Sequence, residues 1–151
     1  MRALIQKVSR ASVTVQGETI ASIDRGFVVF LGLKADDKRA DRDWLIKKIL
    51  NVRLFEDTQG VMNHSLKEVG GDLLLVSQFT LYANPKKGNR PSYNRAAPPE
   101  LALPMFNDFF EQILLKAPGA CEKGEFGAMM SVDLSNEGPV TIWLDSQRKE
   151  N

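Results

Sequence analysis

The sequence predicts an α/β domain in which a largely antiparallel sheet, or a partial β-barrel, is covered by two helices. Three observations lead there. Runs of β-branched residues separated by short polar turns fill the start of the chain. Two segments with apolar residues at helical spacing interrupt the later strands. Finally, no repeat, linker or low-complexity stretch divides residues 1–151, which read as a single domain.

The elements follow in order. Ala3 to Val15 and Glu18 to Ile23 are strands separated by Gln16-Gly17, and Asp24-Arg25-Gly26 turns into the apolar run Phe27 to Leu33, which together predict a β meander. Asp36 or Asp37 is positioned to cap a helix through about Asn51, where Trp44, Leu45, Ile49 and Val52 fall on one side and basic residues on the other. Glu56 to Gly60 and the Gly70-Gly71 pair are breaks. Asp72 to Leu81 begins with the continuous apolar run Leu73-Leu74-Leu75-Val76, the pattern of a strand buried on both faces. A second helix is expected from about Pro104, placed at the favoured first helical position, through Lys116, with Ala117-Pro118-Gly119 as its stop. Ala128 to Leu134 alternates as a strand, and a turn at Gly138-Pro139 leads into a last strand from Val140 to Leu144.

Composition narrows the function classes. A chain of 151 residues with 43% apolar and 26% charged residues buries about two thirds of its unfolded surface and folds without staples. One cysteine, Cys121, excludes an internal disulfide, and one histidine, His64, leaves no Cys/His cluster of metal-site spacing, so no metal and no cofactor are expected. The start of the chain lacks a secretory apolar core, and no apolar run approaches the roughly 18 residues of a bilayer span, so the expectation is a soluble, cytoplasmic protein. A net charge of +1 gives no global pull toward nucleic acid. A local patch exists between Asn84 and Pro99, where Lys86, Lys87, Arg90 and Arg95 occur without an acidic residue and Tyr93 is available to stack on a base. By itself this is also the composition of a solvated, proline-rich loop.

Two segments carry chemistry. The apolar strand runs into Ser77-Gln78-Phe79-Thr80-Leu81, ending in hydroxyls and an amide, and downstream stands the turn Ser135-Asn136-Glu137-Gly138-Pro139-Val140-Thr141. With Gly124-Glu125-Phe126-Gly127-Ala128-Met129-Met130 between them, and Lys87-Gly88-Asn89-Arg90-Pro91-Ser92 beside them, these segments closely resemble the D-aminoacyl-tRNA deacylases, whose signatures are an SQFTL strand end and an N-x-GPVT turn. The resemblance extends from Ala3-Leu4-Ile5-Gln6 to Trp143-Leu144. It implies a homodimer that edits the aminoacylated 3′ end of tRNA, releasing D-amino acids, and glycine mischarged on tRNA for alanine.

The residues themselves limit the mechanism. Ser-His-Asp and Cys-His arrangements need an imidazole, and His64 lies in the loop-like Met62-Asn63-His64-Ser65, away from both motifs. Cys121, beside Glu122 and Lys123, reads as an ordinary thiol. No paired-carboxylate motif occurs. What remains is a set of hydrogen-bond donors: Ser77, the Gln78 side chain, the Phe79 and Thr80 amides and the Thr80 hydroxyl. From sequence alone these are equally the polar face of a strand end. The resemblance makes them catalytic, with the substrate's own 2′-hydroxyl replacing the missing base; Thr80 as nucleophile is the competing reading, and since the sequence gives it no activating partner, a positioning role is preferred. It also implies that the Gly138 and Pro139 carbonyls reach into the partner subunit's site and clash with an L side chain, and that Met129 lines the pocket near the terminal adenosine while Met130 lies on the opposite strand face. An X-Pro bond is cis in only about one case in twenty, so the residues alone predict trans at Gly138-Pro139, whereas the resemblance implies cis. The Phe79 and Val140-Thr141 pattern matches the strictly D-specific members. Lys7 stands where the family has Arg, keeping the charge and losing the bidentate fork. Two rival readings are a nucleic-acid-binding dimer without catalysis and a general serine or threonine esterase.

Overall fold

The computed structural model describes residues 1–86 and 88–149. Its centre is the long strand β1 (Arg2–Val15), whose two edges organise the sheet. Along one edge run β2 (Glu18–Ile23) and then β3 (Gly26–Gly32), both antiparallel to β1. Ala11 faces Ile23 and Val8 faces Gly26, so the register passes unchanged across Asp24-Arg25. The expected meander is therefore one hairpin whose return arm is interrupted, because β3 goes on to pair with a different strand while β2 does not. Along the other edge of β1 lies β8 (Ser131–Asp145), antiparallel over nearly its full length.

Two parallel pairings complete a nearly closed mixed sheet. β6 (Asp72–Ser77) lies parallel to β3, and the short β7 (Cys121–Lys123) parallel to β6. Leu73 and Leu75 enter one core cluster, and Leu74 and Val76 the other, so this strand is buried on both faces as its unbroken apolar run predicts. The first cluster joins Ile5, Phe27 and Val29 to the helices, and the second joins Val8, Val13, Ile23 and Val28.

Helix α1 (Arg39–Asn51) turns Leu45, Ile46, Ile49 and Leu50 to the core. Its start corrects the expected cap. The N-cap is Lys38, whose amide donates to the Asp41 carboxylate at 2.8 Å, while Asp37 takes the Lys34 amide at 2.7 Å and pairs with the Met1 ammonium. Trp44 is only half-buried, with the Lys48 and Lys149 ammoniums 5.8 and 5.7 Å from its ring centre. The stretch read as a break followed by a loop is a small hairpin, β4 (Arg53–Glu56) and β5 (Met62–Ser65), with His64 in its second strand. A one-turn helix α2 (Leu66–Val69) follows, capped reciprocally by Ser65 and Glu68 and ended by Gly70 at φ 63°. Helix α3 (Pro99–Leu114) starts at Pro99 rather than Pro104 and buries Ala102, Phe106, Phe109 and Ile113. Pro99 takes the first helical position, and Pro104 lies inside the helix. The chain chooses Pro99 because the Ala97 amide is fixed to the Leu33 carbonyl at 2.8 Å, which sets where the helix departs. No helix among the described residues is long and apolar enough to cross a membrane.

Candidate active site

β6 ends at Ser77, beside Leu31 of β3, and the Gln78 amide donates to the Leu31 carbonyl at 2.8 Å. There the chain leaves the sheet in a 3-10 turn, Phe79–Tyr82, closed by Leu81 N to Gln78 O at 3.2 Å and Ala83 N to Thr80 O at 3.0 Å. Tyr82 anchors the turn in the interior, and burial raises its phenol well above the ordinary range. Phe79 and Thr80 face outward, and the Gln78 side-chain amide donates to the Thr80 hydroxyl. Among the described residues the Phe79 and Thr80 amides meet no acceptor. They form the start of a helical turn, where N–H groups are left over by geometry.

Ser77, Gln78 and Phe79 border a cavity of about 390 Å³, and Thr80 is not part of its lining. Ser77 and Gln78 are its polar wall. The rest is apolar, drawn from Leu31 and Leu33, from Phe79 and Tyr93, from Ala96 to Pro99 and Ala102 at the head of α3, and from Phe126-Gly127. Phe126 is itself held against Phe106, with ring centres 5.7 Å apart. Phe79 meets Tyr93 edge to face at 5.0 Å, bringing the basic loop to the mouth of the cavity. Sequence reasoning had no signal for Leu31, Ala97 or Ala102 here, because an apolar cavity wall and an apolar core look alike in sequence, whereas Phe126 stands in the Gly124 to Met130 segment that shares in the resemblance. A separate polar depression between Arg10, Asp24 and Asp133 shares none of these residues.

Gly138 and Pro139 lie elsewhere. Gln6 faces Thr141 and Val8 faces Asn136, so β8 spends five residues where β1 spends two, and Glu137 to Val140 are pushed out as a bulge. The expected turn between two strands is an excursion within one strand. Asn136 closes it: its Oδ1 accepts the Val140 amide at 2.9 Å and its Nδ2 donates to Thr141 Oγ1 at 3.0 Å, where Gln6 Nε2 also donates at 3.2 Å. The Gly138-Pro139 bond is cis, not the trans isomer the base rate favours. Gly138 has φ 130°, and a Cβ there would meet Val140 Cγ2 at 2.7 Å, so the position excludes a side chain. Both residues are exposed and neither lines the cavity of its own chain. Met129 is 91% exposed, precedes β8 and also lies outside the lining, whereas Met130 packs on the second core cluster.

The basic loop is pinned by the Asn84 and Ser92 bridge, with N to O distances of 2.8 and 3.1 Å, and Lys86, Arg90 and Arg95 are exposed on it. Lys87 falls outside the described residues. Lys7 is fully buried, and its ammonium donates to Glu56 at 2.7 Å rather than to the Gly138-Pro139 bulge. His64 is 41% exposed and lies 4.0 Å from Glu68. Burial pushes the Cys121 thiol up to about 11, which leaves it protonated and a poor nucleophile at neutral pH. The described residues hold no group of three or more His, Cys, Asp or Glu able to gather a metal ion.

Residues 4–145 match the family described as D-Tyr-tRNA(Tyr) deacylase. The chain is 49% identical over 150 residues to a D-aminoacyl-tRNA deacylase of Phocaeicola vulgatus, covering 99% of this chain and 100% of that one. It is 48% identical over 149 residues to the protein of the same name in Chlorobaculum parvum, with the same coverage. Among solved structures, a c-Myc DNA Unwinding Element Binding Protein superposes with a TM-score of 0.91 at 43% identity, over 96% of this chain and 98% of that one. A probable eukaryotic D-amino acid tRNA deacylase shares the fold, with a TM-score of 0.76 at 18% identity over 95% and 97% of the two chains. These matches place the chain within a class of aminoacyl-tRNA hydrolases. The chain belongs to the D-Tyr-tRNA(Tyr) deacylase family.

Proposed function

We propose that this chain hydrolyses the ester of D-aminoacyl-tRNA, releasing free tRNA and a D-amino acid in the cytoplasm. The observation that carries this reading is the cavity edge at Ser77-Gln78, where the Phe79 and Thr80 amides meet no acceptor among the described residues and no imidazole, thiol or carboxylate lines the wall. An ester carbonyl set against those amides would have its developing oxyanion stabilised by preorganised donors, each worth about 3 kcal/mol. The proton acceptor is then supplied by the substrate, through the neighbouring 2′-hydroxyl of the terminal ribose. Thr80, tied to the Gln78 amide, orients that donor set and does not attack. Thr80→Ala should retain measurable turnover, and complete loss with intact tRNA binding would return Thr80 to the role of nucleophile.

Chirality is read by the bulge. In a homodimer the Gly138 and Pro139 carbonyls of one protomer would enter the cavity of the other and clash with an L side chain, while a D side chain points away; exclusion of this kind is specificity built against the abundant competitor. Glycine carries no side chain to clash, so glycyl-tRNA mischarged on tRNA for alanine would also be cleaved. Lys86 and Arg90 on the exposed loop, and Lys87 beside them, would contact the tRNA backbone.

A paired assay on D-tyrosyl-tRNA and L-tyrosyl-tRNA tests the reading, with release from the D substrate alone as the expected result. Pro139→Ala should narrow the difference between the two rates; unchanged selectivity would remove the bulge from the proposal. The relative known as a DNA unwinding element binding protein favours one alternative, a nucleic-acid-binding dimer without catalysis. Salt-sensitive binding of RNA or DNA with no ester cleavage would decide for it.

A further inference from the structure

We infer that Arg2 is a positioning residue for deacylation, holding the 3-10 turn that carries Phe79 and Thr80 at the angle the reaction needs. The inference rests on the reading of Ser77 to Thr80 as the reaction centre. The bonds from Leu81 N to Gln78 O and from Ala83 N to Thr80 O set the curl of this turn, but both lie within it and say nothing about its tilt against the sheet. Tilt requires anchors outside. At the front the Gln78 amide sits on the Leu31 carbonyl, and the Tyr82 ring is buried beneath. At the back there is Arg2.

The Arg2 backbone is fixed between two strands, facing Gly32 of β3 and Asp145 of β8. Its Nε donates to Asp145 Oδ2 at 3.0 Å and its Nη1 to the Leu81 carbonyl at 2.9 Å. The guanidinium carbon lies 4.4 Å from the Tyr82 ring centre and 5.4 Å from that of Trp143. The side chain is 20% exposed. A planar cation held by a carboxylate and by two rings can rotate very little, so an N–H of its Nη1 fixes the Leu81 carbonyl as a rigid strut would. Gly32 lets the turn come this close, since a Cβ there would meet Leu81 Cβ at 3.1 Å and the Gln78 carbonyl at 3.2 Å. Leu81 is the next residue after Thr80, so a displaced Leu81 carbonyl moves the donors directly, and a misplacement of about 1 Å can cost on the order of 100-fold in rate.

The test uses single-turnover deacylation of D-tyrosyl-tRNA at saturating protein, with tRNA affinity and thermal melting measured on the same samples. Arg2→Met keeps the stem and removes the fork, Arg2→Lys keeps the charge, Gln78→Ala probes the centre itself, and Arg2→Met/Gln78→Ala measures their coupling. Expected are a fall of about 10- to 100-fold for Arg2→Met with tRNA affinity within about twofold, an intermediate rate for Arg2→Lys, and a double variant less impaired than the product of the single effects. A lone stability role predicts otherwise, and a wild-type rate in Arg2→Met, or effects that multiply, would overturn the proposal. If Arg2→Met does not fold, a wild-type rate in Arg2→Lys would do the same. A wild-type rate in Gln78→Ala would instead sink the reading of Ser77 to Thr80 as the centre, and this inference with it.

Discussion

Asn136 clamps the Gly138-Pro139 bulge through two side-chain hydrogen bonds. Its carbonyl oxygen takes the Val140 amide and its amide nitrogen reaches Thr141, so both ends of the excursion are tied to one planar group. Asn136→Ala should cost about 1 to 2 kcal/mol, the range for losing such bonds in part-exposed surroundings. Its larger effect should be a lower ratio of D to L hydrolysis, measured alongside the urea midpoint. A variant that loses stability and keeps full selectivity would show that the bulge holds its shape without this clamp. Residue identity at this position was legible in advance as part of the N-x-GPVT turn. Its two bonding partners were not, because they depend on where β1 pairs with each half of β8.

Within the elements, the decisive contact is between the end of β3 and the 3-10 turn. Gly32 is the last residue of that strand, and the three atoms nearest to a Cβ there belong to Gln78, Leu81 and Tyr82, at 3.1 to 3.3 Å. Gly32→Ala should therefore shift the turn by a few tenths of an ångström and slow deacylation, at a stability cost of about 1 to 3 kcal/mol typical of overpacking. Rates on D-tyrosyl-tRNA and a melting curve check this, and a variant with an unchanged rate would mean the turn tolerates the displacement. Elements with strong internal patterns were readable: the unbroken Leu73 to Val76 run is a strand buried on both faces, and α1 forms where expected, although the face it buries is Leu45, Ile46, Ile49 and Leu50, with Trp44 and Val52 only half-buried. Weakly patterned ones were not. β7 is three residues, Cys121-Glu122-Lys123, with no strand signature, and it exists because β6 offers it a parallel edge. The Met62 to Ser65 strand likewise forms only because β4 lies opposite.

For the molecule as a whole, acid is the condition that should test stability most directly. Lys7 holds the Glu56 carboxyl below its ordinary 4.5 through their hydrogen bond, and backbone amides lower Asp57 and Glu68, from Val61 and Gln59 in the first case and from Ser65 in the second. A carboxyl whose folded pKa is depressed stabilises the fold above its unfolded value and loses that contribution as pH falls through the folded one. Stability should accordingly be level near neutrality and decline below about pH 4.5. Glu56→Gln should flatten part of that decline, and should lower stability at pH 7 by leaving the fully buried Lys7 ammonium facing a neutral group. Chemical denaturation across pH measures both, and an acid limb identical in wild type and variant would count against the pair.

The sequence by itself determined the class of fold, the doubly buried strand that delivers Ser77 to the surface of the sheet, and the two motifs on which the chemistry is read. The strand is a matter of local periodicity and the motifs are readable through their resemblance to a family, and both survive in a one-dimensional record. Tertiary structure decided the rest. It made one interrupted hairpin of what looked like a meander, started α3 at Pro99 rather than Pro104, and expelled Gly138-Pro139 as a bulge within a single strand. It also turned core-like residues such as Leu31 and Ala102 into cavity walls and carried Arg2 to the back of the turn beside them. The physical reason is the same in each case: strand pairing, cavity walls and a reach from Arg2 to Leu81 depend on contacts between residues far apart in the chain, and local patterns carry no record of them.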